Sequence, residues 1–374
     1  MADYLYIHVP FCVKKCVYCD FLSFSFDEQA VADYTAALCG ELALRQGQAG
    51  ELKTVYIGGG TPSLMPERFF DELFSCLRSY FSICRDPEIS VEANPGTLTY
   101  GKLQFLLSLG VNRISIGVQS FHDSELETLG RIHTSRDAAA ALELAVKAGV
   151  RNISIDLMYG IPGQTSDTWK DTLRKAVASG PVHISSYELT PEKDTPLHRS
   201  LADGSLVLPD EDTVVDMYRT GVDYLASCGF EHYEISNYAR ASYACRHNLN
   251  YWNRSEYIGA GAGAHSFFAG RRSRNTRDLR VYLETLARKQ LPEEESATVF
   301  PKEAMRELIF LGLRKTEGIR LSEAASMGLD VIRSCGDLLS EGYLEEERGF
   351  LRLSEKGLVL SNQIIVRIFA DLNL

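Results

Sequence analysis

The most informative stretch of this chain lies near its start and runs Tyr6-Ile7-His8-Val9-Pro10-Phe11-Cys12-Val13-Lys14-Lys15-Cys16-Val17-Tyr18-Cys19. The apolar residues 4 to 9 predict a β-strand that ends at Pro10, so the cysteines lie on the loop that follows. Their spacing, C-x3-C-x2-C, allows three thiolates to converge on one metal centre. Three thiolates can ligate three irons of a [4Fe–4S] cube and leave the fourth iron open to another ligand.

Two alternative roles for these cysteines, a structural zinc site and disulfide bonds, are less well supported by the sequence. A structural zinc site normally needs four ligands, and no further Cys or His follows at motif distance, although His8 upstream could complete one. Disulfides are disfavoured because nine cysteines are an odd number and no signal peptide is recognisable, so we expect a reducing, cytoplasmic location. The other cysteines are scattered, and most are expected to be small buried apolar side chains.

Composition limits the classes of protein that this chain can belong to. Its 374 residues, 45% of them hydrophobic, suffice for a barrel-sized domain and a smaller one. No apolar run reaches the roughly 18 residues that span a bilayer, so we do not expect an integral membrane protein. The net charge of -11 argues against nucleic-acid binding, which needs a basic footprint.

Short apolar runs alternate with longer amphipathic runs over the first half of the chain. The predicted strands are Leu5–Val9, Thr54–Ile57, Ile89–Glu92, Arg113–Ile116, Ile153–Leu157 and His183–Glu188. Helices are predicted at Glu28–Gln46, Pro66–Tyr80, Tyr100–Leu109, Asp137–Ala148 and Asp167–Ala178. This β-α order predicts a parallel sheet, and six strands are too few for a closed eight-stranded barrel. We therefore predict an α/β fold built on an open, partial (β/α)6 barrel.

The alternation stops after Pro191, which suggests three parts. Residues 1–190 are predicted to form the partial barrel, 191–295 an extension of it, and 296–374 a small α+β domain. In the last part, helical segments precede a hairpin-like pair, Tyr343–Glu346 and Phe350–Leu353, and a final helix begins near Ser354. This order is typical of a winged-helix-like domain. Such domains often bind DNA, but the acidic net charge favours a domain that caps the barrel.

Polar residues and glycines stand where the predicted strands end. In parallel barrels the carboxyl ends of the strands form the face that holds the site. The residues at successive strand ends are the cysteine loop, Gly58-Gly59-Gly60-Thr61-Pro62, Glu92, Gln119, Asp156 and Tyr187-Glu188. These separate motifs are thus predicted to meet at one mouth.

The cysteine motif and the residues before it resemble those of the radical S-adenosylmethionine (SAM) enzymes, and further matching motifs extend over most of the chain. The run Tyr6-x-His8-x-Pro10-Phe11-Cys12 looks like the branch that holds oxygen-independent coproporphyrinogen III dehydrogenase and the HemW heme chaperones. The resemblance implies a [4Fe–4S] cluster on Cys12, Cys16 and Cys19, with SAM chelated to the open iron. The SAM-contacting positions of the family fall on Tyr6, Gly59, Gly60, Thr61, Glu92, Gln119, Arg131 and Asp156.

The chemistry of these side chains suits SAM. Glu92 can accept hydrogen bonds from two ribose hydroxyls, and Arg131 can pair with the carboxylate. The glycine triplet lets the backbone approach a ligand closely. Each feature alone would be an ordinary turn or a surface salt bridge, but in register they favour a cofactor site.

Two departures favour the chaperone branch over the dehydrogenase. The dehydrogenase carries another cysteine two residues after the third cluster ligand, whereas Asp20-Phe21 follow Cys19 here. It also has a longer N-terminal extension, whereas only five residues precede Tyr6. We therefore expect no decarboxylation of coproporphyrinogen III.

The stretch Cys245-Arg246-His247-Asn248-Leu249-Asn250-Tyr251-Trp252 resembles the H-N-x-x-Y-W motif that is associated with heme binding in the HemW family. The imidazole of His247 is a good axial ligand for heme iron, and the thiol of Cys245 is an alternative one. Tyr251 and Trp252 offer flat apolar surface for a porphyrin. An isolated histidine would more often be packed in a core. The arginines between 271 and 280 are either solvated or a contact for porphyrin propionates, and His265 is a weaker candidate ligand.

The resemblance implies a cytoplasmic heme chaperone of the radical SAM type, which binds heme and delivers it to apo-hemoproteins. Respiratory, membrane-associated hemoproteins are the acceptors we expect, and no catalytic residue is assigned. The first alternative is an enzyme, either coproporphyrinogen III dehydrogenase or another radical SAM enzyme acting on a tetrapyrrole. The second is a non-catalytic interaction scaffold that uses its C-terminal domain.

Overall fold

The computed structural model describes residues 1–374 and contains one large open sheet covered by helices, followed by a smaller C-terminal unit. The strands of the first half are β1 (Ala2–Val9), β2 (Phe11–Cys12), β3 (Phe24–Ser25), β4 (Ala49–Gly59), β5 (Ser82–Ala93), β6 (Arg113–Gln119), β7 (Asn152–Tyr159) and β8 (His183–Glu188). Those of the second half are β9 (Glu231–Glu234), β10 (Asn237–Ala239), β11 (Ile258–Ala260), β12 (His265–Phe268), β13 (Arg271–Asn275), β14 (Glu293–Thr298), β15 (Ile319–Arg320), β16 (Leu344–Glu347) and β17 (Phe350–Leu353).

Helices follow most of the barrel strands and continue into the C-terminal unit. The first eight are α1 (Glu28–Arg45), α2 (Glu67–Tyr80), α3 (Tyr100–Leu109), α4 (Asp123–Thr128), α5 (Ser135–Lys147), α6 (Ser166–Ala178), α7 (Pro196–Ala202) and α8 (Glu211–Ser227). The others are α9 (Arg246–Trp252), α10 (Leu279–Ala287), α11 (Pro301–Gly312), α12 (Leu321–Ser326), α13 (Val331–Ser334), α14 (Gly336–Ser340), α15 (Glu355–Val359) and α16 (Ser361–Asp371).

The large sheet has nine strands in the order β11-β1-β4-β5-β6-β7-β8-β10-β9. Its six central strands are parallel and coincide with the six predicted ones. The sequence pattern did not indicate that strands from the second half would extend both edges. There β11 pairs in parallel with β1, while β10 and β9 add antiparallel strands beside β8. The predicted extension, residues 191–295, therefore contributes strands to the same sheet as residues 1–190.

Local signals explain where the barrel helices begin and end. Thr134 and Thr165 form capping boxes at the starts of α5 and α6, which satisfy backbone N–H groups that have no partner within the helix. Gly110 ends α3 in the left-handed region, with φ 103°, where a residue without Cβ is favoured. The chain can therefore turn back into β6 at once.

The two faces of the sheet differ in chemistry because side chains alternate along each strand. The outer face is apolar and packs against the helices, as for Ile7, Ile57 and Ile116, each fully buried. The inner face is polar: Ser115 contacts Asp156, and Ser154 contacts His183. A polar interior leaves the barrel able to hold a charged ligand.

The C-terminal unit has its own apolar core, which includes Ile309, Leu338 and Ile365. Its small antiparallel sheet has the order β15-β17-β16, and the hairpin follows short helices as the sequence predicted. The unit meets the barrel where Ile235 donates to the carbonyl of Arg314 and where Glu307 accepts from Arg254. No helix of the protein is both long enough and apolar enough to cross a bilayer.

Candidate cofactor site at the mouth of the barrel

The cysteine loop is anchored to the second barrel strand and to itself. The amides of Gly60 and Thr61 donate to the carbonyls of Val9 and Phe11, both at 2.8 Å. On the other side, the amide of Phe26 donates to the carbonyl of Cys12 at 3.0 Å. These bonds fix where the loop leaves β1, so the position of Cys12 is set by backbone contacts.

Two barrel residues contact the cysteine sulfurs directly. The guanidinium of Arg131 donates to Cys16 Sγ at 3.4 Å, and the Thr61 hydroxyl donates to Cys12 Sγ at 3.5 Å. Burial raises the pKa of the Cys12 thiol and raises that of Cys19 to about 11. Thiols of this kind ionise when a metal replaces the proton, and the thiolates would then face donors already in place.

The structure does not favour a single-ion zinc site at the cysteine loop. No group of three His, Cys, Asp or Glu side chains is placed to hold one ion. A cube takes each thiolate on a different iron, so its ligands need not meet at one point as those of zinc must. The zinc alternative also loses its fourth ligand. His8 accepts from the Tyr6 hydroxyl at 2.9 Å and donates to the carbonyl of Leu22 at 3.2 Å.

The glycine triplet is required by contacts within the protein. A Cβ on Gly59, whose φ is 113°, would lie 2.5 Å from the imidazole of His8. A Cβ on Gly60 would lie 2.7 Å from the carbonyl oxygen of Phe11, and one on Gly58 would lie 2.9 Å from the carboxyl of Glu92. Because these three residues are glycines, the turn after β4 can pack against the cysteine loop. The side of the turn that faces away from the cysteine loop remains available to a ligand.

Glu92 is the second-last residue of β5, and two donors hold its carboxylate. Its Oε1 accepts from the Tyr56 hydroxyl and its Oε2 from the amide of Gly59, each at 2.9 Å. Burial raises the pKa of this carboxyl, and the bonds to Gly59 and Tyr56 oppose that shift. Each carboxylate oxygen has two lone pairs, so both can still accept from a ligand hydroxyl.

Arg131 contacts residues from three segments of the chain at the mouth of the barrel. One of its terminal nitrogens donates to Asn94 Oδ1 and to the carbonyl of Gly117, both at 2.7 Å. The other faces Cys16, while Nε is buried and has no partner. A buried donor without a partner is costly, so the free Nε is a position at which a carboxylate would be stabilised.

Two further predicted residues lie on the neighbouring strands. Asp156 accepts from the Ser115 hydroxyl at 3.1 Å, and burial raises the pKa of its carboxyl. Gln119 has a φ of 68°, and the pairing of β6 with β7 shifts register just before it. A positive φ is rare outside glycine, and such bulges often redirect a side chain next to a site.

The H-N-x-x-Y-W segment forms α9, which is packed inside the barrel. His247 is 1% exposed, with Nδ1 2.6 Å from the Thr54 hydroxyl and Nε2 2.9 Å from the Tyr251 hydroxyl. Its ring stacks on Tyr56 at 5.1 Å, and burial lowers its pKa to about 3. The imidazole is therefore neutral, and both of its nitrogens already have partners.

Cys245 is also enclosed, in a polar network that forms the floor of the barrel. Its thiol donates to Glu88 Oε1 at 3.5 Å, and Glu88 also accepts from the amides of Arg246 and His247 at 3.0 Å each. Trp252 points the other way, toward Arg314 of the C-terminal unit, whose guanidinium lies 5.7 Å from the ring. The four residues predicted to contact heme therefore do not share one open surface.

The structure brings together the predicted mouth residues and adds several that sequence reasoning missed. Tyr56, Asn94 and Ser115 each hydrogen-bond to a predicted site residue. Glu88 and Thr54 hold the floor helix. One signal could have found them: polar residues recur at every second position of strands that are otherwise apolar.

The chain is similar to known proteins over nearly its whole length. The profile of the radical SAM superfamily matches residues 6–176, and that of the HemN C-terminal domain matches 299–360. The chain is 36% identical to heme chaperone HemW of Bacillus subtilis, over 98% of this chain and 99% of that one. It is 37% identical to heme chaperone HemW of Escherichia coli, over 98% of both. Its fold matches the solved structure of coproporphyrinogen III oxidase (HemN) of Escherichia coli, a radical SAM enzyme. That match has a TM-score of 0.85 at 21% identity and covers 100% of this chain and 91% of that one.

Proposed function

The chain belongs to the HemW family of radical SAM proteins, and from that membership we propose that it binds heme and delivers it to apo-hemoproteins. The observation that carries the proposal is identity to curated heme chaperones along nearly the whole chain. The predicted family and the predicted fold class, a partial radical SAM barrel with a C-terminal domain, are both confirmed. The family implies a [4Fe–4S] cluster and SAM as cofactors.

We propose that Cys12, Cys16 and Cys19 hold the cluster. When bound, the cluster supplies an iron that no protein atom ligates and that can take the amino and carboxylate groups of SAM. The contacts from Thr61 and Arg131 to the cysteine sulfurs support this assignment. Donors to a thiolate sulfur stabilise its negative charge, and they keep the loop in one conformation.

We propose that SAM lies across the mouth from β1 to β7. The Glu92 carboxylate accepts from the ribose hydroxyls, and the free Nε of Arg131 meets the carboxylate of SAM. We propose that the remaining predicted positions complete the site: Tyr6, Gly59, Gly60, Thr61, Gln119 and Asp156. Because Glu92 and Asp156 are partly buried, water is partly excluded and each polar contact to SAM gains strength.

The heme contacts predicted at α9 require a change in the conformation of the protein. His247 and Cys245 can reach heme iron only if α9 leaves the floor of the barrel, because both are buried with their polar atoms paired. Tyr251 and Trp252 keep partly exposed rings and could contact a porphyrin with less movement. We propose respiratory hemoproteins as the acceptor class.

Anaerobic reconstitution followed by two assays tests the function. The reconstituted protein should bind hemin with a new Soret band and pass it to an apo-hemoprotein. It should not convert coproporphyrinogen III to protoporphyrinogen IX with SAM and a reductant. Chromatographic detection of that product, or failure to bind hemin, would contradict the proposal.

A further inference from the structure

A second opening lies beside the mouth, on the side of β1 that faces β11. It is a cleft of about 320 Å³ between the loop after Cys19 and the turn before β12. Its wall includes Phe21, Tyr251, Tyr257, His265, Arg274 and Arg277, and it reaches Tyr6 and His8 at the mouth. Ligand pockets span roughly 300 to 1,000 Å³, so this cleft can enclose part of a large flat ligand.

The chain builds this cleft by adding a late strand to the first one. Gly259 of β11 pairs with Tyr6 of β1, so the residues that follow β11 are placed beside the cysteine loop. Gly261, with φ 107°, turns the chain there, and a Cβ on it would lie 2.5 Å from the carbonyl oxygen of His8. The turn brings His265, which begins β12, to the cleft wall.

His265 differs from the other histidines of the site. It is exposed, and its ring nitrogens make no hydrogen bond within the protein, whereas both nitrogens of His8 and of His247 are engaged. A neutral imidazole with a free nitrogen is a good axial ligand for heme iron. Of the histidines considered for heme, this one can act without movement of the fold.

Cationic and aromatic side chains surround His265. Arg277 is exposed and forms no ion pair, so its charge is available to a ligand. Arg274 pairs with Glu295 and Glu294, but its Nε is buried without a partner. Phe21 is 62% exposed and lines the cleft, so its ring is free to contact a ligand there.

We propose that this cleft is the heme-docking site, with His265 as the iron ligand and Arg277 and Arg274 as the partners of the propionates. The inference rests on the proposed function. Phe21 and Tyr257 face the macrocycle, since aromatic rings offer flat apolar surface. The cleft encloses only part of the ring, as expected for a carrier that must release its cargo. Heme held here lies next to the cluster loop.

Variants of the full, reconstituted chain test the site with two probes, hemin and hemin dimethyl ester. Arg277→Glu should weaken binding of hemin about ten- to a hundredfold, and should leave hemin dimethyl ester, which lacks free propionates, unaffected. His265→Ala should shift the Soret band with both probes, and His265→Met should give the band of a thioether ligand. Arg280→Glu, three residues along and outside the cleft, is the matched charge control and should change neither.

Distinct outcomes overturn the site and the function. If the unaltered protein does not bind hemin, the proposed function and the assignment of heme to the cleft are both wrong. If it binds hemin and the Soret band follows His247→Ala but not His265→Ala, the cleft assignment is wrong and heme binding stands. If Arg277→Glu weakens SAM and not hemin, the cleft belongs to the SAM site. Equal loss with hemin and its dimethyl ester would exclude a propionate contact.

Discussion

Replacing Glu92 with Gln separates the role of this residue in SAM binding from its role in the fold. In the protein, Glu92 accepts one hydrogen bond from Tyr56 and one from the amide of Gly59. A glutamine can keep both, because its oxygen can face Gly59 while its amide faces a tyrosine hydroxyl, which accepts as well as donates. The variant therefore loses a charge without losing its protein partners.

The expected effects on binding and on stability differ in direction. Losing a charged acceptor for the ribose hydroxyls removes about 1.5–3 kcal/mol, so SAM affinity should fall roughly ten- to a hundredfold. Burial raises the pKa of Glu92, so its contribution to stability is full below its unfolded pKa, about 4.3, and is lost as pH rises through the folded pKa. The glutamine does not titrate. Glu92→Gln should therefore be at least as stable as the unaltered protein at pH 7 to 8, with a smaller advantage near pH 4.

Calorimetry of SAM binding and urea denaturation measure the two effects, and Glu88→Gln is the matched control. Glu88 lies deeper on β5, and each of its two oxygens accepts from a backbone amide, Oε1 from His247 and Oε2 from Arg246, so a glutamine NH2 would face an N–H group that cannot accept. Its replacement should cost about 1–3 kcal/mol of stability and leave SAM affinity unchanged. Unchanged SAM affinity in Glu92→Gln, or a stability loss equal to that of Glu88→Gln, would refute the reasoning.

Three further predictions concern the cluster ligands, the floor of the barrel and the buried carboxyl of Glu234 on β9. Replacing any one of the three cluster cysteines with Ala should reduce bound iron from about four per chain toward zero after reconstitution, measured by iron analysis; retention of full iron would exclude that ligand. Thr54→Val should leave Nδ1 of His247 without its partner and lower the free energy of unfolding by about 1–3 kcal/mol in urea, with Thr298→Val on the exposed strand β14 as the control. Glu234→Gln should stabilise the protein at pH 8 by up to about 3 kcal/mol but much less at pH 5. Burial raises the pKa of Glu234 to about 7, so the carboxylate loses stability as pH rises from its unfolded value. A pH-independent difference would contradict this account.

The sequence alone was sufficient to predict the central strands of the barrel and to predict that several polar residues lie at one end of the sheet. The six central strands match because a strand is a local pattern of apolar residues ended by a turn, and parallel order follows from the β-α alternation. The cysteine spacing is equally local. Glu92 and Asp156 could be assigned to one face because parallel strands all end on the same side of a sheet.

The roles of the histidines depended on tertiary structure. His247 stands in a heme-associated motif, yet it contacts Thr54, which is 193 residues away along the chain. His265 is unremarkable in sequence, but the pairing of β11 with β1 places it beside the cysteine loop with its ring free. Whether an imidazole can ligate iron depends on which groups already bond to its nitrogens. Those groups come from distant strands, so only the closed arrangement of the sheet determines them.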